Sequence, residues 1–153
     1  MFILFFATIA SSLALAFSFF LIWKVMRYNP GEGKMVEIAK AISEGAKAYL
    51  NRQYKTVAAV ALVISALLFW AFGSWLIVLG FLLGAAASAL AGYIGMNIAV
   101  RANVRTAKAA EGGLQKALNV AFQGGNVTGL LVVGLALLSV TLFYWLTKDL
   151  KAL

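Results

Sequence analysis

Apolar positions in this chain form long unbroken runs separated by short basic stretches, and the runs are too long for buried strands or for one face of a soluble helix. The first, Phe2 to Trp23, carries no charged side chain. It matches the roughly 20 residues that a helix needs to cross a hydrocarbon core about 30 Å thick. The next uncharged run extends from Thr56 to Val100, and as one straight helix it would measure roughly 68 Å, more than twice that thickness. It therefore folds back. "FGSW", residues 72 to 75, is the expected turn, because Gly73 frees the backbone while Trp70 and Trp75 suit the membrane interface. A last run, Ala117 to Thr147, has Gly124 and Gly125 near its start and "FYW" at 143 to 145 near its end. The pattern predicts an all-α, polytopic membrane segment with four spans, at about 2–23, 56–72, 75–100 and 126–146.

Composition supports the same class: 63% of the 153 residues are hydrophobic, 12% are charged and one is proline. A charge at the bilayer centre costs about 2.5–3.5 kcal/mol on insertion scales, so charges mark the connections. One connection, 24–55, holds Lys24, Arg27, Lys34, Lys40, Lys47, Arg52 and Lys55; the other, 101–116, holds Arg101, Arg105, Lys108 and Lys116. With four spans both lie on one side, which the positive-inside rule makes cytoplasmic and which leaves the N-terminus outside. Lys148 and Lys151 run mildly against that rule. The net charge of +8 is then explained by topology and anionic headgroups, and no nucleic-acid partner is implied. The first run starts apolar and has its first basic residue, Lys24, at its far end, which predicts a retained span rather than a cleaved signal peptide. Cysteine and histidine are both absent, which removes thiolate chemistry and the commonest metal ligand and general base.

The connections have helical period. From 30 to 56 the chain opens on Pro30 and Gly31, then places Met35, Ile38, Ile42, Gly45, Tyr49 and Gln53 on one side, with Glu37, Lys40, Glu44, Lys47 and Lys55 mostly opposite. No breaker follows Val36 until Phe72, which predicts one helix running from the connection into the bilayer, its apolar face lying on headgroups or against other helices of a larger protein. Gly80, Gly84, Ser88 and Gly92 form a small-residue stripe for close helix packing, and Gly125 and Gly129 repeat it more weakly. Gly112 and Gly113 break the chain, after which a short helix over Leu114 to Phe122 is expected to lead into the last span. Asn97 and Asn126 are expected to hydrogen-bond between helices. Arg101 and Arg105, one turn apart, are the candidates for gripping a phosphate, although basic residues are expected where a span leaves lipid in any case.

"EGAKAYLNRQY" (44–54), "GYIGM" (92–96), "RANVRTAKAA" (101–110) and "ALNVAFQGG" (117–125) closely resemble, in order and spacing, the N-terminal region of the membrane-integral, ion-translocating inorganic pyrophosphatases. The resemblance extends over some two thirds of the chain and leaves the first helix generic. It implies a homodimeric pump that hydrolyses magnesium pyrophosphate and moves protons or sodium ions outward, with magnesium as cofactor and potassium as a further candidate. It also implies that the first four helices form part of an outer ring bracing the catalytic inner helices, within a larger bundle. Magnesium prefers several carboxylate, phosphate and water oxygens. This chain has one aspartate, Asp149, and its glutamates, Glu32, Glu37, Glu44 and Glu111, are scattered. The resemblance therefore implies a scaffold portion, the first quarter or less of such a pump, with no catalytic or metal-binding residue of its own. The alternative is a stand-alone four-helix assembly subunit without catalysis. A small ion carrier is disfavoured, because no acidic residue or histidine falls inside a span.

Overall fold

The computed structural model describes residues 2–148. Four helices follow one another: α1 (Phe2–Met26), α2 (Lys34–Phe72), α3 (Trp75–Ala110) and α4 (Leu114–Thr147). Each is long and apolar enough to cross a membrane, and no strand occurs among the described residues. The chain is a multi-pass membrane protein. Asp149 and Lys151 lie outside the described residues.

The expected turn is present. Gly73 takes a left-handed conformation (φ 60°) and its N–H donates to the Phe69 carbonyl at 2.8 Å, which closes α2. Ser74 is extended, α3 begins at Trp75, and the Phe69 and Trp75 rings pack 4.4 Å apart across the turn. The uninterrupted course of α2 through 39 residues also agrees with the sequence pattern.

One expectation needs correcting. The glycine pair 124–125 does not separate a short leading helix from the last span; α4 runs unbroken through it. A glycine inside a helix costs roughly 0.5–1 kcal/mol, but here it allows close packing. A Cβ at Gly124 would lie only 2.7 Å from the Cβ of Ala102 on α3, so the missing side chain is what lets the two backbones approach.

The helices form an open row: α2 packs on α3, α3 on α4 and α4 on α1, with a slight contact between α1 and α3. Among the described residues α2 meets neither α1 nor α4. The apolar core lies between α1, α3 and α4 and consists of Leu21, Ala91, Ile98, Val127 and Leu131, flanked by Leu15, Ile22 and Ile94 among others. Since lipid tails are as apolar as leucine, burial gives little net drive here and close packing decides the contacts. Ser11 and Ser18 of α1 are fully buried. Ser18 Oγ donates to the Val127 carbonyl at 3.2 Å, and the Ser11 carbonyl oxygen lies 3.3 Å from where a Cβ on Gly134 would be. Gly95 of α3 is packed equally tightly against Thr128 of α4. Other hydroxyls in the spans, Thr8, Ser65, Ser139 and Thr141 included, donate to carbonyls of their own helices, so no buried side-chain N or O among the described residues lacks a partner.

The anticipated packing glycines occupy mixed positions. Gly80 is half-buried, and Gly84 and Ser88 are exposed. Gly92 sits under the hydroxyl of Tyr54 from α2, and Gly125 and Gly129 have nothing within 4 Å of a built Cβ. Asn97 donates to the Tyr93 carbonyl of its own helix at 2.8 Å rather than across to a neighbour.

This difference among the glycines can be measured. Gly124→Ala forces two Cβ atoms together, neither of which can rotate away, and should destabilise the bundle by about 1–3 kcal/mol. Gly84→Ala meets nothing within 4 Å and should be neutral, or stabilising by up to about 1 kcal/mol through helix propensity. Unfolding both variants with sodium dodecyl sulfate in mixed micelles, followed by tryptophan fluorescence, checks the order; equal effects would contradict the packing described.

Candidate functional site

At the basic end of the bundle, α1 stops at Met26 and the chain turns through residues 27–33 towards α2. A helix C-terminus leaves its last four carbonyls without intrahelical donors. Here the N–H of Arg27 reaches the Lys24 carbonyl at 3.1 Å and the N–H of Tyr28 reaches that of Val25 at 3.2 Å. The Met26 carbonyl, and that of Tyr28 in the turn beyond it, are met from another helix. Arg105 of α3 extends its side chain across, donating from Nε to the Tyr28 carbonyl at 3.1 Å and from Nη2 to the Met26 carbonyl at 3.5 Å, while Nη1 holds the Arg101 carbonyl of its own helix at 2.8 Å. A cation at a helix C-terminus also suits the macrodipole. Burial, and after it the nearby charge of Arg101, lowers the Arg105 guanidinium from its ordinary value, but an arginine remains protonated in proteins.

The turn is fastened on a second side. The Tyr28 hydroxyl donates to Gln123 Oε1 of α4 at 3.3 Å, and Gln123, almost fully buried, donates from Nε2 to Asn119 Oδ1 at 2.8 Å. Within the turn, Asn29 Oδ1 accepts the Gly31 N–H at 2.8 Å, and Gly31 has φ 81°, a conformation that favours glycine. Arg27 turns the other way and lies over the Trp23 ring, 3.7 Å from its centroid. Lys108 pairs with Glu111 at 2.5 Å. The hydrogen bond to Glu111, and then the charge of Glu111, raise the Lys108 ammonium above its ordinary value, with Glu32 a smaller contributor.

Between these groups lies a cavity of about 450 Å³, lined by Tyr28, Asn29, Arg105, Lys108, Lys116 and Asn119 among others. Arg101 is not in its lining and is exposed. The two arginines on one face of α3 therefore do not converge on a common ligand position. Arg105 is committed to the end of α1 and the turn after it by two hydrogen bonds, and to the Arg101 carbonyl of its own helix by a third.

A second junction joins α2 to α3. Tyr54 donates its hydroxyl to the Ala89 carbonyl at 2.9 Å, over the bare backbone of Gly92, and its ring meets Tyr93 edge-on at 6.0 Å. Tyr28, Tyr54 and Gln123 escape a search for charged or metal-ligating residues. The signal that finds Tyr28 and Arg105 together is the end of α1, whose nearest glycine beyond Met26 is Gly31, too late for a left-handed cap, so that its carbonyls need a donor from elsewhere.

A magnesium ion needs several oxygen ligands, usually including carboxylates. Among the described residues no three of His, Cys, Asp and Glu come together in a way that could hold a metal ion, and Glu111 is engaged by Lys108. The residues present do not fit such a centre.

Comparison with known proteins gives these junctions a family. The chain is 50% identical over 148 residues to a K(+)-insensitive pyrophosphate-energized proton pump of Methanosarcina mazei, covering 96% of this chain and 22% of that protein. It is 50% identical over 133 residues to a second such proton pump, from Moorella thermoacetica, covering 86% of this chain and 20% of the relative. A putative K(+)-stimulated pyrophosphate-energized sodium pump of Bacteroides thetaiotaomicron is 38% identical over 144 residues, 90% of this chain and 20% of its own length. The chain thus spans about a fifth of the length of these relatives. The family model described as inorganic H+ pyrophosphatase matches residues 12–153, and the chain belongs to that family.

Proposed function

We propose that this chain is the N-terminal outer-ring scaffold of a pyrophosphate-energised ion pump. In this reading, hydrolysis of magnesium pyrophosphate and outward transport of H+ or Na+ are performed by helices beyond these four, in a pump that works as a homodimer. The basic connections 24–55 and 101–116 face the cytoplasm and the N-terminus faces outward. The observation that carries the proposal is what Arg105 does. Its donors are directed at the backbone carbonyls that end α1, so the most suggestive cation of the chain holds helices together instead of holding substrate. The exposed apolar residues Ile38, Ile42 and Tyr49 of α2 support the reading as well, since α2 buries only Leu50 and Ser65 within this chain and leaves a face for lipid or further helices.

Two results are expected. Purified residues 1–153, reconstituted in lipid with magnesium and pyrophosphate, should release no phosphate above a protein-free control; magnesium-dependent release would refute the scaffold reading. Arg105→Gln should destabilise the chain by about 1.5–3 kcal/mol, the range for hydrogen bonds to a charged group, whereas Arg101→Gln, with an exposed side chain, should change stability by less than about 0.5 kcal/mol. Detergent unfolding curves of the two variants decide this. A larger loss for Arg101→Gln would reverse the roles assigned to the pair.

A further inference from the structure

We propose that the cavity between the 27–33 turn and the facing ends of α3 and α4 binds a phosphate group, either on an anionic lipid headgroup or as free phosphate. This goes beyond the scaffold reading and does not depend on it. The lining carries three cationic side chains, Arg105, Lys108 and Lys116, against one carboxylate, Glu111. That carboxylate is matched by Lys108, which leaves Arg105 and Lys116 as the excess positive charge.

The hydrogen-bonding groups have the same polarity. Asn29 and Asn119 border the cavity, and the side-chain oxygen of each already accepts a bond, from the Gly31 N–H and from Gln123. The amino group of each, a donor, is not engaged in either bond. Among the described residues the Lys116 ammonium has neither an ion pair nor a hydrogen bond. Its side chain lies over Gly112, so that a Cβ there would come 2.8 Å from Lys116 Cδ and 3.2 Å from Nζ. A free ammonium and two amide donors, beside the positive charge of a guanidinium whose nitrogens already hold backbone carbonyls, form a site for an anion with several acceptor oxygens.

Position favours a phosphate over a smaller anion. The cavity opens at the basic end of the membrane helices, between the turn after α1 and the facing ends of α3 and α4, and basic pockets between spanning helices at that level are suited to anionic headgroups. Its volume of about 450 Å³ is ample for a phosphate and its substituent.

The test uses the whole chain in dodecyl maltoside micelles at low salt, with binding followed by calorimetry for dioctanoyl phosphatidylglycerol, dioctanoyl phosphatidylcholine and inorganic phosphate. Phosphatidylglycerol or phosphate should bind more tightly than phosphatidylcholine, and Lys116→Gln should weaken that binding about fivefold. Gly112→Ala, which displaces the ammonium without removing it, should weaken it too. It also serves as the deciding variant if Lys116→Gln fails to fold by circular dichroism. Arg101→Gln, which alters a charge outside the cavity, should leave the affinity within twofold. Phosphatidylglycerol binding that survives excess phosphate identifies the headgroup as ligand, while competition by phosphate identifies the free anion; both support the site. Equal binding of all three probes overturns it. So does an equal loss in Arg101→Gln and Lys116→Gln, which would mean diffuse surface charge.

Discussion

The two bonds from the Arg105 guanidinium to the Met26 carbonyl that ends α1 and to the Tyr28 carbonyl in the turn after it are the constraint around which the basic end of this bundle is arranged. A helix end leaves backbone acceptors that need donors, and α1 has no glycine placed to close it by a left-handed turn. The donor comes from α3, two helices later in sequence, and this fixes where α1 stops relative to where α3 emerges. Tyr28 then carries the same turn to α4 through Gln123. One short segment is thus tied to two helices, and α4 takes the middle position with α1 and α3 on either side.

Deeper in the bundle the constraint changes from hydrogen bonding to approach distance. With little hydrophobic drive between helices in lipid, contacts form where side chains are small enough for backbones to meet. Ser18 against Val127, Ser11 and Leu15 against Gly134, Gly95 against Thr128 and Gly124 against Ala102 are such places. α2 is attached differently, by one face that includes Tyr54, whose hydroxyl needs the bare backbone of Gly92 in order to reach the Ala89 carbonyl. That explains how a helix of 39 residues can bury so little of itself within the chain and still have a defined orientation.

Charge and hydropathy revealed the helices because lipid imposes a strict rule on both: four spans, the turn at Gly73 and the long course of α2 all follow from it. The continuity of α4 did not, since a glycine pair reads as a breaker until Ala102 is seen against Gly124. Gly84 and Ser88 are exposed, so no helix among the described residues packs on them. A small-residue stripe says that close packing is possible and leaves open which residues a neighbour uses. Gly95 and Gly134, which do face neighbours closely, fall outside the four-residue spacing of Gly80 to Gly92. Ser11 and Ser18 were hidden because α1 looks uniformly apolar, and their role depends on a partner far along the chain. For the arginines, spacing placed both on one face correctly, but it could not report that the end of α1 lies in front of only one of them.

The sequence elements that identify the family are, in the structure, the junctions. "EGAKAYLNRQY" supplies Tyr54 and "GYIGM" supplies the Gly92 beneath it; "RANVRTAKAA" supplies Arg105 and Ala102, and "ALNVAFQGG" supplies Gln123 and Gly124. A lipid-facing position tolerates almost any apolar side chain, so spans diverge freely wherever they meet only lipid. A tyrosine that must reach one carbonyl over one glycine, or a guanidinium that must satisfy one helix end, tolerates almost none. A recognisable signature can therefore arise from packing geometry alone, without catalysis. In this chain Tyr54, Gly92, Ala102, Arg105, Gln123 and Gly124 are residues whose hydrogen bonds and clearances decide how four membrane helices stand beside one another.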